Sequence, residues 1–207
     1  IIVVIENDIS CEVATFRCDG KYTDGRHPEK VVFSSLEEDV KRRDFTVNAL
    51  LYDPVNKILH DYVGGQQDLK QKILRAVGNP QQRFAEDKLR ILRAVRFSAN
   101  LQFIIEENTW QAICAEAKNI NQVSRERIAA ELEKMLLGGH SSSALQLLQK
   151  SGLLDFLLPQ VAALQNVAQP PQFHPEGDVW QHTLLMLEEW DKTLRNCTED
   201  ITHPRFN

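Results

Sequence analysis

No Cys-x-x-Cys motif occurs in this sequence. Its four cysteines (Cys11, Cys18, Cys114, Cys197) are scattered along 207 residues. That spacing argues against a zinc cradle or a disulfide framework and fits reduced thiols in a cytosolic protein. No apolar run approaches the roughly 20 residues that cross a bilayer. No stretch reads as a signal peptide, so no membrane partner is expected. Positive charge is not in excess: the net charge is −5. An anionic partner must therefore be held by local clusters, not by the overall field. Internal repeats and low-complexity tracts are absent. There is also no initiator Met. Ile1–Ile5 reads as a buried strand already under way, a start that predicts residues upstream. What remains is an ordinary globular composition, 43% apolar and 26% charged, sized for one or two domains.

The first part of the chain reads as strands and short helices. Residues 1–5 and Cys11–Arg17 predict two strands joined by a polar turn at Glu6–Ser10. On the second, Glu12 shares a face with Ala14 and Phe16, which is costly for a carboxylate unless a partner or a metal ion meets it. A loop rich in Asp, Gly and Arg follows from Asp19 to Lys30 and carries Arg26 and His27. Val31–Phe33 predicts a short strand. Ser35 is placed as an N-cap, with Glu38 three residues on completing a capping box. Ile58–Tyr62 predicts another short strand, and Gly64-Gly65 opens a helix. The turn holding Asp61, Gly64, Gly65, Asp68 and Leu69 reads as a hinge or a scaffold. From about Phe84 onward the pattern predicts helices only: 84–100, Thr109–Lys118, one beginning at Ser124, Ser141–Ser151 closed by Gly152, and Thr183–Arg195. Leu153–Leu158 reads as an apolar turn.

Two stretches concentrate polar chemistry. The first is Arg42-Arg43-Asp44-Phe45-Thr46-Val47-Asn48. Arginine offers bidentate donors to phosphate oxygens, and Asp44 and Asn48 can address sugar hydroxyls. The second runs from Arg83 to Gln102. Read as one helix, it fans Asp87, Arg90, Arg93 and Arg96 over half its surface and about 13 Å of its length. Leu89, Leu92, Val95 and Ala99 then form the core face. In isolation such a row is a surface ion-pair row. Set near a nucleotide it has a sharper meaning. Cytosine and adenine share an edge in which an amino donor lies beside a ring-nitrogen acceptor. A carboxylate (Asp87) accepting from the amino group and a guanidinium (Arg90) donating to the ring nitrogen would take C and A and reject G and U. Rejection follows because the wrong base leaves buried polar groups unpaired. Arg93 and Arg96 would then meet phosphates or the primer end.

Together, RRDFTVNAL (Arg42–Leu50), the Asp61–Leu69 turn, EDKLRILRAVRF (Glu86–Phe97) and VSRERIAAELEKML (Val123–Leu136) resemble four successive motifs of the class II, bacterial-type tRNA nucleotidyltransferase (CCA-adding) and poly(A) polymerase family. EVATFR (Glu12–Arg17) and DGR (Asp24–Arg26) fit the same order. The likeness covers roughly residues 1–160. It implies an α+β fold: the C-terminal part of a polymerase-β-like nucleotidyltransferase head, mixed sheet plus helices, followed by an all-α neck and body. The expected division is head 1–70, nucleotide- and RNA-binding neck 71–160, and the start of a helical body 161–207. The implied reaction is template-independent addition of C and A from CTP and ATP to the 3′ end of tRNA, or of A to another RNA. The implied nucleotide contacts are Arg43, Asp87, Arg90, Arg93, Arg96 and Asn48. Asp44 and Glu12 are the candidate catalytic carboxylates, Gly64-Gly65 a hinge, and Val123–Leu136 a brace for the reading helix.

One departure weighs on that reading. The family's Gly-rich turn and Asp-x-Asp pair, which hold two Mg²⁺ ions, are not in this chain, and two-metal transfer needs such carboxylates. The chain as it stands is therefore expected not to catalyse transfer by itself, with Mg²⁺ ligands upstream. Near the other end, His174-Pro175-Glu176-Gly177-Asp178-Val179-Trp180-Gln181-His182 resembles the start of an HD-type phosphohydrolase-like domain. His182 would be its first metal histidine, but the His-Asp dipeptide is missing and no metal site is assigned. Poly(A) polymerase, a non-catalytic RNA- or nucleotide-binding module and, last, a metal phosphohydrolase are the alternative functions.

Overall fold

In a computed structural model the chain is described over residues 2–6, 9–19 and 31–202. Strand β1 (Ile2–Glu6) pairs antiparallel with β2 (Ile9–Val13), placing Val3 opposite Glu12. The expected burial of this first strand is not found: Ile2, Val3, Val4 and Ile5 are all exposed. Hydrophobicity makes a strand, but burial needs a second layer, and among the described residues none covers this hairpin. The second strand is also shorter than expected. It ends at Val13, and the chain re-enters a sheet as β3 (Arg17–Asp19), antiparallel to β4 (Val31–Phe33). Asp24, Gly25, Arg26 and His27 lie outside the described residues.

Helix α1 (Leu36–Lys41) starts as its sequence implies, with Ser35 Oγ accepting from the Glu38 N–H at 3.3 Å. It buries Val40 and, unexpectedly for a charged residue, Asp39. A 3-10 turn at Thr46–Asn48 leads to the hairpin of β5 (Leu51–Asp53) and β6 (Ile58–His60). Helix α2 (Gly65–Gln71) follows Gly64, whose φ of 80° is left-handed. The Asp61 carboxylate accepts from the N–H groups of Gly65 and Gln66, both at 2.9 Å. Buried Asp68 accepts from Thr46 Oγ1 at 2.7 Å and from Arg75 Nε at 3.0 Å. A Cβ at Gly65 would stand 2.3 Å from the Thr46 carbonyl oxygen. The Thr46–Asp68 bond and the close approach at Gly65 hold α2 against the 3-10 turn.

The remainder is mostly helical. Strand β7 (Ile73–Leu74) precedes α3 (Pro80–Glu86) and α4 (Leu89–Leu101). Next come β8 (Ile104–Ile105), α5 (Glu107–Glu116), a 3-10 stretch at Ala117–Gln122 and α6 (Arg125–Leu136). Then follow α7 (Ser141–Lys150), α8 (Leu153–Leu157), α9 (Pro159–Ala162) and α10 (Val179–Thr202). Helices alone were expected here, yet β8 pairs in parallel with β7, Ile73 opposite Ile104. A two-residue pair is too short to carry a periodic signal. The apolar turn at 153–158 is helical as α8. The last helix begins at Val179, ahead of the expected Thr183, because Asp178 Oδ1 accepts from the Gln181 N–H at 2.9 Å.

The single helix expected over 84–100 is two. Asp87 sits between them in extended conformation, φ −147° and ψ 105°. Its Oδ1 accepts from the Leu89 N–H at 3.0 Å, a local side-chain bond that competes with helix continuation. Beyond the break the amphipathic reading is sound: Leu89, Leu92, Val95 and Ala99 are all buried. Helix α4 packs mainly against α6 and α7. One core unites Phe45, Leu74, Phe84, Leu92, Ile113, Leu148, Trp180 and Leu184. Each large apolar side chain so buried contributes about 1.5–3 kcal/mol. This core runs across both boundaries expected from the sequence, near 70 and near 160. The architecture, small sheets followed by helices, is the α+β class expected.

Candidate functional site

The break at Asp87, the start of α4, the 42–48 stretch and α6 enclose a cavity of about 490 Å³. That is within the roughly 300–1,000 Å³ of small-molecule sites. Arg42, Arg43, Arg90, Arg93 and Arg127 line it, against Asp44 and Asp87 as its carboxylates. Glu86 and Asp39 stand behind these arginines, and even so one positive charge is left over, five against four. A chain of net charge −5 therefore carries a locally cationic pocket.

Asp87 and Arg90 are both aimed by neighbours. Arg127 donates to Asp87 Oδ2 from Nη2 at 2.7 Å, while Leu89 N–H holds Oδ1. Arg90 Nη1 donates to Glu86 Oε2 at 2.8 Å and to the Arg83 carbonyl at 3.1 Å, and its Nη2 to the Arg42 carbonyl at 3.1 Å. A guanidinium has five N–H donors and a carboxylate about four lone-pair sites, so each group keeps capacity for a ligand edge.

Behind Arg42 and Arg43, buried Asp39 holds both guanidiniums. Its Oδ1 accepts from Arg42 Nη2 at 2.6 Å and Nε at 3.0 Å, and from the Arg17 N–H at 3.2 Å. Its Oδ2 accepts from Arg43 Nη2 at 3.2 Å and Nε at 3.3 Å. Burial alone would raise the Asp39 pKa. The bonds from Arg42 and the Arg17 amide and the charges of Arg42 and Arg43 outweigh it, so the carboxyl lies below its ordinary value. Arg43 Nη1 also donates to the Asn48 carbonyl at 3.0 Å. Arg93 grips Asp44 Oδ2 with Nη2 at 2.5 Å and Nε at 2.9 Å. Asp44 Oδ1 accepts from the Phe45 N–H at 2.8 Å and from Asn48 Nδ2 at 3.3 Å. Phe97 forms an apolar side of the pocket, with Arg93 5.2 Å from its ring centre.

Of the residues expected from sequence, Arg43, Asp44, Asn48, Asp87, Arg90 and Arg93 converge here. Arg96 does not line the cavity. Its Nε donates to Glu131 Oε2 at 2.6 Å, and its guanidinium lies 4.2 Å from the centre of the Phe97 ring. Glu131 is buried, which would raise its pKa, but the bond and charge of Arg96, with Lys134, bring it below the ordinary value. Glu12 lies on the exposed β1–β2 hairpin and not in the lining. Arg127, Asp39 and Phe97 carry no role in the sequence reading, and Arg42 enters it only as one of the two arginines of the 42–48 cluster. Arg42 and Arg127 fall within stretches read there as motifs, but Asp39 carries no signal beyond its place in an acidic first turn.

Mg²⁺ does not fit the groups of this pocket. Asp44 and Asp87 are each paired to a guanidinium and bonded to backbone amides. Mg²⁺ needs free oxygen ligands in near-octahedral array. What the arrangement can do is bind a polyanion and present a carboxylate and a guanidinium side by side to a planar edge. Elsewhere, His174, Glu176 and His182 bring ligand atoms within 4.8 Å of one another.

The chain is similar in sequence and in fold to several known proteins. The family described as "Poly A polymerase head domain" matches residues 1–75. The family described as "Probable RNA and SrmB- binding site of polymerase A" matches residues 102–165. The CCA-adding enzyme of Leuconostoc mesenteroides is 43% identical over 204 residues, 96% of this chain and 51% of that protein. A crystal structure of the Bacillus stearothermophilus CCA-adding enzyme in complex with CTP superposes with a TM-score of 0.65 at 41% identity. It covers 73% of this chain and 36% of that one. The Thermotoga maritima CCA-adding enzyme complexed with tRNA gives a TM-score of 0.56 at 27% identity, covering 68% of this chain and 34% of that one. The chain thus spans about half, or less, of the relatives it matches.

Proposed function

We propose that this chain, whose residues 1–75 and 102–165 match poly(A) polymerase families and which is 43% identical to a CCA-adding enzyme over 204 residues, is part of a protein that adds C and A to the 3′ end of tRNA without a nucleic-acid template. The pocket selects and holds CTP or ATP. Asp87 accepts from the amino group of cytosine or adenine, and Arg90 donates to the adjacent ring nitrogen. Arg43 and Arg93, with Arg42, receive the triphosphate. Asp44 and Asn48 lie on the sugar side, where Asp44 acts by positioning Arg93. Arg96 supports the pocket from behind, through Phe97 and Glu131. The observation that carries this reading is the pairing of Asp87 and Arg90 in one cationic cavity, each held by partners that leave part of its hydrogen-bonding capacity free.

The division into head 1–70, neck 71–160 and body from 161, a cytoplasmic location and a Mg²⁺ requirement of the whole protein belong to the same proposal. Among the described residues no helix is long and apolar enough to cross a membrane. A second reading, poly(A) addition, is favoured by the family descriptions, which name polymerase A.

The test uses the full-length protein, CTP, ATP, GTP and UTP, a tRNA lacking its CCA end and an unrelated RNA. CCA addition confined to the tRNA is the expected result, and efficient A-tailing of the unrelated RNA selects the second reading. Asp87→Ala and Arg90→Ala should relax the choice of base by roughly 5- to 150-fold, the worth of one buried polar pair. Unchanged discrimination in both variants would remove the base-reading assignment.

A further inference from the structure

We propose that His174, Glu176 and His182 form a binding site for one divalent transition-metal ion of the zinc class. The site is separate from the nucleotide pocket, which none of these residues lines.

The geometry is convergent. His182 Nδ1 lies 2.6 Å and His174 Nδ1 3.1 Å from the same oxygen, Glu176 Oε1. The two rings meet edge to face at 4.9 Å and 85°. A tetrahedral ion with ligands about 2.0–2.1 Å away spaces its ligand atoms by about 3.4 Å. Small side-chain rotations bring the three atoms to that spacing. The donor set decides the class of ion. Two imidazoles and a carboxylate suit Zn²⁺, Co²⁺ or Ni²⁺, whereas Mg²⁺ and Ca²⁺ demand oxygen. The side chains are 31%, 19% and 38% exposed, so the open side leaves a coordination position for water.

The ligands are carried by ordered backbone. His174 and Glu176 lie on a turn anchored by His174 N–H to the Pro170 carbonyl at 3.0 Å, and Val179 N–H bonds the Val167 carbonyl at 3.0 Å. Asp178, between the ligands, accepts from the Asn166 N–H at 2.7 Å and caps α10, which delivers His182 from its first turn. A bound ion would staple the proline-containing turn to the start of α10. Trp180, one residue after Val179, is itself part of the main core.

The experiment titrates full-length, untagged, chelator-stripped protein with Co²⁺, followed by visible absorption, and then with Zn²⁺. Expected are one equivalent of Co²⁺ per chain with the strong bands of a four- or five-coordinate ion, and their loss when Zn²⁺ displaces it. His174→Ala and His182→Ala should abolish the bands, and His60→Ala, on β6 and outside the cluster, should keep them. Glu176→Gln, which keeps shape and loses charge, should weaken binding at least as much as loss of an outer-shell partner does, about 10- to 100-fold. Far-UV circular dichroism confirms that each variant is folded. Absence of the bands in the parent protein, or their survival in the His174→Ala/His182→Ala double variant, overturns the site. So does a drop in Tm of the folded variants with no metal binding in the parent, which would make the cluster a hydrogen-bonded turn only.

Discussion

Arg127 of α6 reaches back 40 residues to Asp87, its Nη2 2.7 Å from Oδ2. The residue proposed to accept from the incoming base is therefore aimed by another helix, not by its own neighbours alone. Arg127→Met keeps the aliphatic stem and removes this bond. We expect selectivity for CTP and ATP over GTP and UTP to fall by about 5-fold or more, in line with loss of one buried polar contact. Parallel kcat/KM measurements with the four nucleotides check it. An equal loss for all four would mean that Arg127 serves binding or stability and not base choice.

Asp39 makes the complementary prediction. It holds Arg42 and Arg43 by separate oxygens and does not itself line the cavity. Asp39→Asn should weaken all four nucleotides alike, by about 10-fold, since the arginine forks lose their orientation while the base readers keep theirs. Asp39→Glu should restore part of the loss. A change in the ranking of nucleotides would contradict this assignment.

The adjacent glycines at 64 and 65 should separate cleanly. At Gly64 the backbone is left-handed but nothing lies within 4 Å of an added Cβ. Gly64→Ala should cost about 1 kcal/mol. At Gly65 the added atom would meet the Thr46 carbonyl oxygen at 2.3 Å, and Gly65→Ala should cost about 3 kcal/mol or more. Denaturant unfolding of the two variants gives the comparison; equal costs would remove the close-approach argument.

Acid should unfold the protein partly through Asp39 and Glu131. Both carboxyls lie below their ordinary values of 3.8 and 4.5 when folded. The unfolded chain thus binds more protons than the folded one as pH falls through this range. Their contribution to stability is complete above the ordinary values and is lost as pH drops through the depressed folded ones. Asp39→Asn and Glu131→Gln should therefore lower Tm clearly at about pH 7 and progressively less towards about pH 3. A Tm difference independent of pH would show that the ionised form is not what stabilises.

The sequence by itself determined the local features of this protein. The apolar spacing of Leu89, Leu92, Val95 and Ala99 sets the buried face of α4, and Ser35 sets the start of α1. The motif order groups Arg43, Asp44, Asn48, Asp87, Arg90 and Arg93, which line one cavity, together with Arg96 and Glu12, which do not. These features depend on residues a few positions apart, where period and capping chemistry act. Tertiary structure decided the rest. The Asp87–Arg127 and Arg96–Glu131 pairs join residues 40 and 35 positions apart, and nothing in a local pattern chooses such partners. They turn one expected row of arginines into two roles, Arg90 and Arg93 facing the cavity and Arg96 the neighbouring helix. Burial divides residues of similar polarity in the same way. Asp39 is enclosed because two arginines and an amide compensate it, while Ile2–Ile5 stay exposed because burial depends on what packs over a strand, not on its own composition.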